Sequence, residues 1–402
     1  MSGRGIGPLE GVTVLDLTSV LMGPYATQIF ADLGADVIKV ESPSGDTTRA
    51  LPPGREADRG GMFLNLNRGK RSIVLDLKQD AARDALLALA AKADVFVHSM
   101  RAQAIGRLGL DYAAVAEVNP RVIYANMYGY GRDGPYRDYP AYDDIVQAAS
   151  GIVDLQAKLS GGKPTYLANV VADKVTGLTG AYAIIAALFA RERTGKGQEI
   201  EIPMFETMVS FAALEHLCGS VFRPPLGPPE YARATSEARR PYATADGHIA
   251  VMIYTDRHWR SFFDAIGNPD WSRDPMFASI QSRTENITAV LSHVSDILAT
   301  KTSAEWIALF RKVQIPAGPI ASLSDLLEDE HLHHTGFWQD RETAAVALRL
   351  PGIPTRFSST PGEIGDPGPV LGADSRSILQ DAGFGDAAIE ALLADGAVRE
   401  AV

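Results

Sequence analysis

Residues 12–40 read VTVLDLTSVLMGPYATQIFADLGADVIKV, and this stretch decides the fold class. Positions 12–17 form a short, mostly apolar run rich in β-branched residues, the pattern of a strand buried on both faces. After Gly23 and Pro24, the apolar residues Ala26, Ile29, Phe30 and Leu33 recur at helical spacing. Gly34 then supplies a C-terminal stop, and residues 37–40 return to strand character. The unit is strand, helix, strand. It repeats through a strand at 72–77, a helix at 80–93, a strand at 95–97, a helical stretch at 105–118 and a strand at 122–127. Strands that alternate with helices predict a parallel sheet covered on both faces, the doubly wound α/β class.

Further along, residues 172–193 read as one long apolar helix, buried in the core, and 199–202 as another strand. The character then changes. Between 219 and 240 prolines and arginines cluster without periodicity, as in a long connection. Beyond it, Asp246-Gly247 is a hairpin-type turn between 242–244 and 249–254. Helices follow at 258–266 and 286–299, and the spacing of Thr302 and Glu305 fits a capping box that opens another. These elements predict a second, smaller α+β domain. The tail from about Asp340 carries Pro351, Pro354 and Pro361, too much proline for continuous helix, before a last helix at 386–393.

The chain's 402 residues exceed the ~100–200 of a typical domain. With 46% hydrophobic and 22% charged residues it has the composition of a folded globular protein. The net charge of -11 opposes the wrapping of nucleic acid or binding to an anionic membrane, so neither is expected as a partner. An anionic ligand must be held by a local basic pocket. The single cysteine, Cys218, excludes an intrachain disulfide and a cysteine-rich metal cluster, which suits a reducing compartment, and a cytoplasmic location is expected. The first ten residues lack the apolar core of a signal peptide. The uncharged stretch 177–190 is shorter than the ~20 residues a membrane-crossing helix needs.

Several familiar patterns fail on inspection. Gly129, Gly131 and Gly134 form a G-x-G-x-x-G after a predicted strand, but Pro135 and Pro140 follow in a tyrosine-rich loop. A dinucleotide-binding turn must instead open a helix. Residues 161–164, GGKP, lack the Ser or Thr that follows Lys in a phosphate-cradling loop. His331, His333 and His334 have no partner ligands at metal spacing and read as a solvated loop, so no metal is expected. There is no G-x-S-x-G elbow, and Cys218 lies in an apolar helical run, as a buried structural thiol would.

Two features carry chemistry. Basic and amide residues gather near strand ends: Arg49, then Asn67, Lys70 and Arg71, then Arg101 and Arg107. In an acidic protein these suit an anionic ligand at the edge of a parallel sheet. The second is Asp173, which follows Val170-Val171-Ala172 where the long helix begins. It can cap that helix. It can also serve as a nucleophile, since the helix dipole favours its ionised form and apolar neighbours strip its hydration.

At these residues the chain resembles the class III CoA-transferases, the family of formyl-CoA transferase and carnitine CoA-transferase. The matching segments are residues 15–18 (LDLT) with Gly23-Pro24, 32–41 (DLGADVIKVE), 67–77 (NRGKRSIVLDL), 107–109 (RLG), 129–150, Ala172-Asp173, 193–198 (RTGKGQ) and 315–319 (IPAGP). They stand in the family's order and span most of the chain. The resemblance implies a Rossmann-like large domain of residues 1–220 and 330–402, a small α+β domain of 221–329, and two subunits interlaced as a homodimer. It implies Asp173 as the nucleophile that takes up the donor acyl group as an anhydride and then holds CoA as an aspartyl thioester. Coenzyme A enters as the acyl-CoA substrate, a small carboxylic acid accepts it, and no permanently bound cofactor is implied.

The resemblance also implies a CoA site. Val20, Leu21 and Met22 match the loop beside the catalytic aspartate, with Leu21 where many of these transferases carry Gln. Arg107 and Tyr142 match CoA contacts, and Asn67, Lys70 and Arg71 match the turn near the adenosine phosphates. Ser99, Met100 and Ala102 depart from the usual Asn-Phe-Arg-Pro, while Arg101 is kept. Two other functions compete. An α-methylacyl-CoA racemase shares the fold but needs a histidine where this chain has Asp143. A non-catalytic CoA-binding protein has no need of a carboxylate at position 173.

Overall fold

β1 (Thr13–Leu17) and β2 (Asp36–Glu41) pair in parallel and are joined by the helix Met22–Asp32, so residues 12–40 form the strand-helix-strand unit that their spacing predicts. The computed structural model describes residues 7–55, 58–342 and 347–401. β3 (Arg71–Leu75), β4 (Val95–His98), β5 (Ile123–Tyr128) and β6 (Gln198–Pro203) extend the parallel sheet. The short strand Val398–Arg399 adds antiparallel to β3 and completes the order Val398–Arg399, β3, β2, β1, β4, β5, β6. This is a doubly wound order in which the direction of winding reverses between β1 and β4, the place where such sheets open a ligand crevice.

β1 to β5 are buried on both faces, whereas β6 at the sheet margin is mostly half-buried. Ile38, Ile73, Leu75, Phe96 and Tyr124 pack with Leu86 and Leu89 of the helix Asp80–Ala90 and with Ile378 and Leu379 of the helix Ser375–Ala382. Each such side chain contributes about 1.5–3 kcal/mol on burial. The strands Trp338–Glu342 and Ala347–Pro351 pair antiparallel, which the proline-rich tail did not announce.

The long helix runs from Val171 to Thr194 and is the one helix among the described residues long and apolar enough to cross a membrane. It differs from the fully buried helix expected. Ala172, Gly177, Gly180, Ala181 and Ile184 are buried, whereas Tyr182 and Phe189 are exposed. Small residues set its position. A Cβ on Gly177 would stand 2.7 Å from the Met22 carbonyl oxygen, and one on Gly180 would stand 2.7 Å from Met127 Cε. The helix therefore lies directly on Met22–Asp32 and on β5, and its first turn sits beside the loop that follows β1.

The chain divides into two compact units. One holds the residues up to Ser150, Ala168–Ser210 and the residues from His331 on; the other holds Gly151–Leu167 and Phe211–Glu330. The second unit thus begins nearer the N-terminus than the expected border at 221 and takes in an earlier segment. The reason is local packing: the helix Ile152–Leu159 meets Ala232–Thr235, and Lys158 pairs with Glu230 at 2.8 Å. This unit contains a three-stranded antiparallel sheet of Tyr242–Ala243, His248–Val251 and Ala317–Pro319. Its core gathers Trp259, Phe262, Val290, Leu298, Trp306 and Phe310. Thr302 and Glu305 form the expected capping box. Cys218, expected to be buried, is only partly so, and its thiol donates to the Glu215 carbonyl at 2.9 Å. His331, His333 and His334 stand on a short helix, Glu330–His334, where a loop was expected.

Candidate active site

The loop after β1 is held in an unfavourable shape. Val20 has φ +70°, a left-handed backbone that costs a β-branched residue about 1–3 kcal/mol. Asp46 opposes that cost by accepting the Val20 N–H at 3.2 Å. Lys39 Nζ then bridges Asp46 Oδ2 at 3.0 Å to the Thr18 carbonyl at 3.1 Å. Burial would raise the Asp46 carboxyl, but the Lys39 ammonium overrides it and holds the group low.

Beneath the loop lies a buried ionic knot. Asp16 accepts the Thr18 N–H at 2.9 Å, the Thr27 hydroxyl at 2.6 Å and Lys70 Nζ at 2.9 Å. Lys70 also donates to the Pro24 carbonyl at 3.1 Å and to Asn67 Oδ1 at 2.9 Å. Burial pulls the Lys70 ammonium down to about 8, partly countered by Asp16. Burial works to raise Asp16, and the charges of Lys70 and Lys39 hold it below the usual carboxylate range.

The turn at 67–71, expected near the adenosine phosphates, directs the side chains of Asn67 and Lys70 inward. The Lys70 side chain is 0% exposed and Asn67 is likewise buried, so neither presents a donor to a phosphate. Arg71 lies at the sheet edge in ion pairs with Asp36 at 2.5 Å and Asp381 at 2.8 Å. Arg49 is also internal, paired with Glu41 at 2.6 Å. The turn braces the loop after β1 from below.

Across the winding reversal, Ser99 and Met100 follow β4. The Met100 N–H donates to His98 Nδ1 at 3.2 Å, and His98 Nε2 lies 2.9 Å from Asn126 Oδ1. The two contacts assign the ring proton to Nε2. Burial pulls His98 down to about 4, so the ring is neutral and braces this second loop. Ser99 is partly buried, while Arg101 and Arg107 are exposed at the two ends of the helix Ala102–Arg107. Tyr142 is 69% exposed. The glycine-rich loop after β5 binds its own carboxylates: the Gly131 N–H meets Glu206 at 3.1 Å, and Arg132 pairs with Glu199 at 2.8 Å and Glu201 at 3.1 Å. It opens no helix, in agreement with the sequence.

Asp173 is the third residue of the long helix, and it does not cap that helix. The cap comes from Asp143, on the helix Asp143–Ala149, which accepts the Ala172 N–H at 2.7 Å and the Asp173 N–H at 3.1 Å. Gln147 Nε2 fixes the cap by donating to Asp143 Oδ2 at 2.5 Å and to the Asn169 carbonyl at 3.1 Å. The Asp173 carboxylate is partly buried and accepts no hydrogen bond from any described residue. Burial and then the charge of Asp143 push it up to about 6. Such a group is ionised at neutral pH yet more basic than an ordinary carboxylate, as a nucleophile requires. Asp143 and Gln147 were missed as site residues. Their i,i+4 spacing lets one side chain fix the other on a helix face, but nothing nearby in sequence points to the N–H groups 29 and 30 positions away that Asp143 caps.

Leu21, Val170 and Lys174 line one cavity of about 610 Å³, so the loop after β1 and the turn that carries Asp173 face the same space. Of the other expected site residues, Val20 and Met22 flank Leu21 in the chain, while Asp173, Ser99, Arg101, Arg107 and Tyr142 lie outside the cavity lining. Among the described residues, no group of three or more His, Cys, Asp and Glu could hold a metal ion.

Residues 9–375 match CoA-transferase family III. The chain is 33% identical to succinyl-CoA:mesaconate CoA-transferase of Haloarcula hispanica, over 94% of this chain and 98% of that one. It is 35% identical to acetyl-CoA:oxalate CoA-transferase of Acetobacter aceti, over 88% and 90% respectively. Among solved structures, the hypothetical protein Rv3272 of Mycobacterium tuberculosis superposes with a TM-score of 0.80 at 29% identity, covering 93% of this chain and 100% of that one.

Proposed function

We propose that this chain, which belongs to CoA-transferase family III, carries out its CoA transfer from an acyl-CoA to a carboxylic acid through covalent bonds formed on Asp173. The observation that carries the reading is the carboxylate of Asp173 itself. It stands at a helix start, free of hydrogen bonds from the described residues and raised to about 6, while a neighbouring carboxylate performs the capping.

The steps balance without an added group. An Asp173 oxygen attacks the thioester carbonyl, the C–S bond breaks, and an acyl-aspartyl anhydride forms as CoA leaves as thiolate. The thiolate attacks the aspartyl carbonyl, the donor acid leaves as carboxylate, and Asp173 holds CoA as a thioester. An acceptor carboxylate then attacks that thioester, and the returning thiolate takes the acceptor acyl group and frees Asp173. One thioester replaces another, so the exchange is nearly thermoneutral. In this reading the donors to the developing oxyanions are backbone N–H groups of the loop after β1 other than those of Thr18 and Val20, which Asp16 and Asp46 hold. The pocket must keep water from the anhydride.

The racemase alternative needs a base at position 143. Both oxygens of Asp143 already accept hydrogen bonds, from Ala172 and Asp173 on one side and Gln147 on the other, which favours transfer over proton abstraction. We place the CoA phosphates near Arg101 and Arg107, the exposed cations after β4. We also read the exposed Tyr182 and Phe189, on one face of the long helix, as support for an interlaced homodimer. Cytoplasmic location is a further part of the reading, since the free thiol of Cys218 suits a reducing compartment. The test is trapping: wild type incubated with an acyl-CoA and then hydroxylamine should yield a hydroxamate on Asp173 by peptide mass spectrometry. Full turnover with Asp173 never modified would refute the covalent route.

A further inference from the structure

The cavity that Leu21 shares with the first turn of the long helix is lined mostly by apolar surface. Its wall carries Leu21, Tyr25, Ile29, Met62, Leu66 and Ile353, and it is also lined by Val170 and Lys174, which stand on either side of Asp173 in the chain, while Asp173 itself is not part of the lining. Two cations touch the space. Arg68, at the base, is buried, and four of its five N–H groups are engaged: two on Asp32 at 2.6 and 3.0 Å, one on Asn65 at 3.2 Å and one on the Pro351 carbonyl at 2.6 Å. Asp32 cancels its charge. Lys174 is exposed at the rim and donates to Asn169 at 2.8 Å. A second carboxylate carried deep into the cavity would therefore meet Asp32 and no free cation, and its desolvation would go uncompensated.

We infer that the acyl group handled at this site is a linear, uncharged chain of about six to ten carbons, lodged in this cavity with its carbonyl toward Asp173, and that dicarboxylic acyl groups are discriminated against. The inference rests on the reading of Asp173 as the nucleophile. The volume of about 610 Å³ lies within the range of small-molecule pockets and exceeds what a two- to four-carbon acyl group fills. Each further methylene buried should then raise kcat/KM about fourfold until the cavity is full. Arginines close to the sheet suggest a carboxylate clamp only until their partners are known. Arg49, Arg68 and Arg71 are all paired with Glu41, Asp32 and Asp36.

The experiment is a donor panel on the full-length enzyme with one acceptor acid: propionyl-, butyryl-, hexanoyl-, octanoyl-, succinyl- and glutaryl-CoA, each followed by hydroxylamine trapping at Asp173. The expected result is kcat/KM rising along the linear series and succinyl-CoA at least tenfold below butyryl-CoA, which has the same carbon count. Met62→Trp and Ile29→Phe, which fill the cavity, should lower transfer from octanoyl-CoA more than from propionyl-CoA. A preference for succinyl- or glutaryl-CoA over butyryl-CoA, or a flat response to chain length in wild type, overturns the inference. The trapping arm keeps the two readings apart. A hydroxamate on Asp173 with any donor upholds the covalent route whichever donor is preferred, and its absence with all of them defeats that route first.

Discussion

The carboxylate of Asp143 accepts the backbone N–H of Asp173 at 3.1 Å while its charge opposes ionisation of the Asp173 side chain. One residue thus fixes the position of the other and adds to the basicity that burial gives it. The helix start orders the nucleophile, and the nearby negative charge keeps it reactive.

Asp143→Asn separates the two effects. The amide oxygen can still accept the Ala172 and Asp173 N–H groups, but the charge is gone. The acid limb of the pH profile of kcat/KM, expected near 6 in wild type, should move part of the way toward the ordinary carboxylate range, since burial remains. Asp143→Ala removes the cap as well and should cost about 1–2 kcal/mol in urea unfolding. An unmoved acid limb in the Asn variant would remove Asp143 from the control of Asp173.

Asp173→Asn should fold and yet lose CoA transfer. It should also change how stability depends on pH. The folded pKa of Asp173, about 6, lies above its ordinary value of 3.8, so the folded state binds the proton more tightly than the unfolded chain does. The resulting stabilisation is full below 3.8 and is lost as pH rises through 6. The difference in melting temperature between wild type and the Asn variant should therefore shift in favour of the variant between pH 4 and 7. Parallel curves would show that Asp173 is not perturbed.

Lys70→Met tests the buried knot. Removing the ammonium leaves Asp16 buried against the distant Lys39 alone, and loss of one partner of such a pair costs about 3–5 kcal/mol. Chemical denaturation should show a loss of that order, with the CoA affinity of the remaining folded protein little changed. Unaltered stability with weakened CoA binding would return Lys70 to the phosphate site.

Arg101→Ala and Arg107→Ala should weaken CoA binding by about 1–3 kcal/mol each if they hold phosphates through charge-assisted contacts. Turnover at saturating acyl-CoA should change little. The effect should shrink in high salt, because both side chains are exposed. Calorimetric titration with CoA at two ionic strengths measures both quantities, and unchanged affinity in both variants would place the phosphates elsewhere.

The strand-helix-strand unit at 12–40 was legible because its two periodicities do not mix, and Asp173 because a carboxylate in an apolar run at a helix start is conspicuous. Asp143 was not, since its role depends on N–H groups 29 and 30 positions away. The basic residues misled for a related reason. Lys70 pairs with Asp16 across 54 positions and Arg71 with Asp381 across 310, so nothing near them in sequence reveals that their charges are neutralised. The affiliation of residues 151–167 with the second unit likewise depends on distant packing. Local patterning specifies elements, while which charges are internal is settled only when those elements meet.

The strand Val398–Arg399 closes the edge of β3, and the Asp76 N–H bonds the Ala397 carbonyl at 2.9 Å. On the ribosome this imposes an order of assembly. Every residue of the second unit, through Glu330, emerges before the strand that finishes the sheet exists. Until then β3 offers an open edge to any passing chain. A chain cut before Ala397 would carry Asp173 and its cap yet leave β3 as an open edge, a sheet margin primed for aggregation.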